Sequence, residues 1–81
     1  MNLNELIKHQ AQLLRNYSGN PDAAQIARGI LAALLRLHQI QESDAELREP
    51  HEWFFIVGDK RVYARSPEAL ADILAATEPG R

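Results

Sequence analysis

The chain has 81 residues, 46% of them hydrophobic and 25% charged, with a formal net charge of −2. That length and composition describe one folded domain with a small core and exclude a disordered chain. The slight acidic excess excludes a basic nucleic-acid footprint over the whole chain, and the lack of cysteine excludes disulfides, thiolate metal sites and a cysteine nucleophile.

No basic-then-apolar leader opens the sequence, and the longest apolar run, Gly29 to Leu35, is far too short to span a bilayer. A cytoplasmic protein without a membrane segment is therefore expected, in keeping with a small domain that uses no disulfide.

Residues 2–17 carry the pattern of an amphipathic helix. Leu3, Leu6, Ile7, Leu13, Leu14 and Tyr17 recur at helical spacings, and Asn2 with Glu5 forms a capping box. Gln10 falls where an apolar residue is expected. Ser18-Gly19-Asn20 stops this helix, and Asn20-Pro21-Asp22 starts another with a cap, a proline at the first position and an acid in the first turn.

The second helix is expected over 21–42. Ile26, Ile30, Leu34 and Leu37 make its stripe, widened by Ala23, Ala27, Leu31, Leu35 and His38. Gly29, Ala32 and Ala33 are small enough to admit another helix closely. Apolar over so much of its girth, this helix should be central, with helix 1 on one side and the hairpin or a second subunit on another. A polar, acidic segment from Gln41 to Glu49 follows and ends at Pro50; it either continues the helix or forms a separate turn.

Residues 52–57 and 60–65 read as a β-hairpin, with Gly58-Asp59 as its two-residue turn and Gly58 at positive φ. Alternation places Trp53, Phe55, Val57, Val62 and Ala64 on one face and Phe54, Ile56, Arg61, Tyr63 and Arg65 on the other. Both faces carry large apolar groups. The first is assigned to the core and the second is left over as a candidate binding surface. Ser66-Pro67-Glu68 then starts a third helix over 67–76, with Leu70, Ile73 and Leu74 as its stripe. The expected fold is α+β: an antiparallel helical hairpin, a two-stranded β-hairpin and a C-terminal helix.

No catalytic constellation accompanies these elements. His9, His38 and His51 do not pair at helical ligand spacing, and His38 is expected to be a packing residue. Ser18, Ser43 and Ser66 are loop or cap residues. The glycines form no phosphate loop or dinucleotide fingerprint. The expectation is a protein that is not an enzyme, with no cofactor and no metal.

Two surfaces remain. The outer hairpin face joins Phe54, Ile56 and Tyr63 with Arg61 and Arg65, and the acidic segment offers Asp44, Glu46 and Glu49. Apolar area rimmed by charge suits a subunit or partner interface. Homodimerisation through helix 2 or the hairpin is the first expectation, with another protein as partner.

In size, acidity and lack of catalytic residues the chain resembles phage and mobile-element proteins that act by stoichiometric binding, anti-CRISPR inhibitors among them. That resemblance implies inhibition or modulation of a host protein and carries over no particular residue. The alternative is a nucleic-acid-binding accessory or regulatory protein using Lys60, Arg61 and Arg65 interleaved with aromatics. A helix-turn-helix is disfavoured, because the second helix is apolar where a recognition helix is polar and basic.

Overall fold

Each element begins and ends where its local chemistry demands. The computed structural model describes residues 2–43 and 53–77. Helix α1 spans Leu3–Asn16 and opens on the capping box: the Asn2 side chain accepts from the Glu5 N–H at 2.9 Å, and the Glu5 carboxylate accepts from the Asn2 N–H at 3.2 Å. Helix α2 spans Pro21–Ser43, and Asn20 Oδ1 accepts from the Ala23 N–H at 3.2 Å. Strands β1 (Trp53–Val57) and β2 (Lys60–Ala64) pair antiparallel, with Trp53 opposite Ala64, Phe54 opposite Tyr63, Phe55 opposite Val62, Ile56 opposite Arg61 and Val57 opposite Lys60. Gly58 takes φ 65°, the left-handed conformation that a tight hairpin turn requires. Helix α3 spans Pro67–Ala76, and Ser66 Oγ accepts from the Ala69 N–H at 3.0 Å. The α-α-β-β-α order and the small α+β architecture are those expected from the sequence.

The core is drawn from every layer. Ile7, Ala11 and Leu14 of α1 meet Ala27, Leu31 and Leu35 of α2, Phe55 of β1, and Leu70, Ala71 and Leu74 of α3. Trp53, Val57, Val62 and Ala64 pack against this cluster half-buried, so the hairpin face assigned to the core is the one that faces it. Gln10, the polar residue in the α1 stripe, has a partner: its side-chain N–H donates to the Ala27 carbonyl of α2 at 3.3 Å. Arg15 donates from Nε to the Ala75 carbonyl at 2.8 Å and from a terminal nitrogen to the Thr77 carbonyl, closing the C-terminal end of α3. Arg28–Asp72 at 3.2 Å and Arg36–Glu68 at 2.9 Å join α2 to α3 at the surface.

The expected stripe of α2 is corrected. Ile26, Ile30 and Leu37 are exposed, Ile26 to 66%, and Leu34 is half-buried. Of the residues read as widening the stripe, Ala27, Leu31, Leu35 and His38 are its buried face and Ala23 is half-buried. At about 100° per residue, Ala24, Ala27, Leu31, Leu35 and His38 share one arc and Ile26, Ile30 and Leu37 share another. Both arcs have helical period, so apolarity does not rank them. The inner arc carries Ala24 and Ala27 on the side of α1, where the Gln10 side chain of α1 reaches the Ala27 carbonyl. On α1, Leu6 and Tyr17 likewise lie at the exposed margin of the expected stripe.

Candidate protein-binding face

The outer face of the hairpin is built by alternation on β1 and β2. With Phe55 and Val57 turned to the core, Phe54 and Ile56 point the other way, opposite Tyr63 and Arg61. Tyr63 is 52% exposed and Ile56 47%; Phe54 is half-buried and Arg61 and Arg65 are exposed.

The backbone explains how this face is held. The Phe54 N–H donates to Oε1 of Gln39 at 3.2 Å, so it points away from β2 toward α2. Phe54–Tyr63 and Ile56–Arg61 are therefore the non-hydrogen-bonded pairs of the ladder, whose backbones approach most closely and whose side chains touch best. The Arg61 guanidinium lies 4.9 Å from the centre of the Phe54 ring, a cation–π contact reaching diagonally across the strands. Beneath, the buried His38 of α2 meets Phe54 and Phe55 edge-on, with ring centres 5.7 and 5.0 Å apart. His38 is thus the packing residue that the sequence suggested, seated between the aromatic residues of the two hairpin faces.

Of the expected site residues, the structure brings Phe54, Ile56, Arg61 and Tyr63 together on one surface, with Arg65 just past the end of β2. Asp44, Glu46 and Glu49 lie outside the described residues. Lys60, at the turn, adds a further exposed positive charge. The patch is an aromatic and aliphatic centre edged by cations, a composition typical of protein interfaces.

Among the described residues no three His, Asp or Glu side chains gather as a metal site. A hollow of about 460 Å³ between α1, α2 and α3 is lined by Leu14, Arg15, Ser18, Ala24, Arg28 and Asp72 among others. Its charged groups have structural partners: Arg15 caps α3, and Arg28 pairs with Asp72. No described helix is long and apolar enough to cross a membrane.

One surface of α2, the helix that the sequence marks as a possible dimer contact, is made mainly of residues expected in its main stripe. Ile26, Ile30, Leu37 and Ile40 of α2 all remain exposed, Ile40 to 67%. The signal for it was present in the spacing: Ala23, Ile26, Ile30, Ala33, Leu37 and Ile40 are separated alternately by three and four residues. No family model matches the chain, and neither a curated protein nor a solved structure matches it.

Proposed function

We propose that the chain is a non-catalytic protein-binding module that acts stoichiometrically, with the outer hairpin face as its contact surface. The observation that carries this reading is the exposure of Ile56 and Tyr63 beside the Arg61–Phe54 stack, on strands whose other face is committed to the core. A rigid apolar centre with an arginine at its edge supplies the groups that most often dominate binding energy. Inhibition or modulation of a host protein, in the manner of small phage and mobile-element proteins such as anti-CRISPR inhibitors, is the role that its size and charge favour. The acidic residues Asp44, Glu46 and Glu49 add a second contact region in this proposal, and the working unit is a homodimer in the cytoplasm.

The test is affinity capture from lysate of the source cell, comparing the native chain with Arg61→Ala/Tyr63→Ala. The expected result is a captured protein that the double variant loses while its circular dichroism spectrum is unchanged. An identical captured set with both chains overturns the assignment of this face. Salt-titrated binding to single- and double-stranded DNA addresses the basic hairpin directly. Submicromolar affinity that collapses with salt replaces protein binding with nucleic-acid binding.

A further inference from the structure

Helix α2 carries a second apolar row besides its buried face. Ala23, Ile26, Ile30, Ala33, Leu37 and Ile40 follow the alternating three-and-four spacing by which two helices interlock side by side. At about 1.5 Å per residue the row runs for about 26 Å along the helix. Its four large residues are exposed and it contains no charged residue; Asp22, Gln25, Gly29, Arg36 and Gln41 flank it. Apolar residues at the centre with charge displaced to the margin are the mark of an interface core.

Gly29 points the same way. It sits in mid-helix, exposed, and a Cβ added there would meet nothing within 4 Å among the described residues. Alanine would fit the isolated chain and favour the helix. Among the described residues nothing calls for glycine at this position, and close approach of another molecule is a use for it.

We propose that this row pairs, antiparallel, with the same row of a second copy about a two-fold axis passing between Leu31 and Ala32. In such a pairing Ile26 packs against Leu37 of the partner subunit, Ile30 against Ala33 of the partner subunit, and Ala23 against Ile40 of the partner subunit. Large meets small on both sides of the axis, so the backbones draw together at the centre. Gly29 then lies opposite the partner's Arg36, and its missing side chain leaves room for the arginine stem.

The charges favour this arrangement. The antiparallel dipoles set the positive N-terminal end of each α2 beside the negative C-terminal end of the other, and the two Arg36 side chains are kept apart. A parallel pairing in register sets Asp22 level with Asp22 and Ala33 against Ala33, leaving a gap at the centre. One self-complementary row serves both copies, as a two-fold interface requires. The paired rows and their flanks withdraw on the order of 1,200 Å² in total, the lower end of a specific interface. This dimer rests on the binding-module reading only for its stoichiometry, because it uses none of the hairpin residues.

Light scattering over a micromolar concentration series is expected to give twice the chain mass, and Ile26→Glu/Leu37→Glu to return it to the single mass. Each truncated contact at the centre of an interface weakens association by roughly thirtyfold. Since the natural chain has no cysteine, single-cysteine variants report the geometry. Mixing Ile26→Cys chains with Leu37→Cys chains should yield a mixed disulfide dimer on mild oxidation, with neither variant cross-linking by itself. Self-cross-linking of each variant overturns the antiparallel pairing. A native chain that stays monomeric throughout overturns the dimer and leaves the row to a different protein. Arg61→Ala/Tyr63→Ala should keep the dimer mass, so loss of capture by that variant and loss of the dimer are separate results.

Discussion

The Phe54 N–H is held by the side chain of Gln39, 3.2 Å away and 2% exposed. A two-stranded ribbon leaves the outer N–H groups of each strand without a ladder partner, and here a helix side chain supplies one. The bond ties the hairpin to α2 and marks which residue pairs of the hairpin lie closest.

Replacing Gln39 with Met keeps the volume and removes the acceptor. The Phe54 N–H is then left without it in a part-buried site, which costs about 1–3 kcal/mol. Urea denaturation should show the loss as a lower midpoint, and hydrogen exchange should show reduced protection at Phe54. An unchanged midpoint would mean that water replaces the glutamine at no cost.

The outer face should behave oppositely. Arg61→Ala/Tyr63→Ala removes an exposed cation–π contact and one cross-strand aromatic pair, together costing about 1 kcal/mol. Thermal denaturation should therefore fall by only about 4–8 °C for a domain of this size. A variant that no longer folds would show that Tyr63 is core.

Arg15 joins the end of α1 to the end of α3. Its guanidinium reaches the Ala75 and Thr77 carbonyls, where the helix dipole is negative and the carbonyls lack helical partners. Arg15→Lys keeps the charge but not the planar fork that reaches both oxygens. A loss of about 1 kcal/mol is expected for Lys and more for Met, measured as a shift in denaturation midpoint. Equal losses for both would mean that charge contributes nothing there.

Glu68 lies in the first turn of α3, where its own backbone N–H, followed by the Arg36 guanidinium, holds its carboxyl below the usual glutamate range. A depressed folded-state pKa means that the stabilisation is present above the unfolded glutamate pKa and is lost as pH falls through the folded value. Glu68→Gln should thus be less stable than the native chain at neutral pH, with the gap closing in acid. The gap is expected to be small, because the carboxylate is exposed to solvent. Melting temperatures of both chains at neutral pH and at pH well below the glutamate range check this, and a gap that widens in acid contradicts it.

The elements were legible in the sequence because their signals are local. Asn2 with Glu5, Asn20 with Pro21, Ser66 with Pro67, and Gly58 at the hairpin turn each satisfy or free backbone groups within a few residues, whatever the rest of the chain does. Strand alternation then determined the two faces of the hairpin once Phe55 was taken as core. What sequence alone did not decide was which apolar row of α2 turns inward. Ala27, Leu31 and Leu35 compete with Ile26, Ile30 and Leu37 at the same period. Only close packing against α1, α3 and Phe55 resolves the choice, because the inner row must fit the neighbours' volumes as well as being apolar. The Gln39–Phe54 bond is likewise tertiary: it joins residues that are 15 apart, and no local pattern marks that glutamine as the partner of a strand.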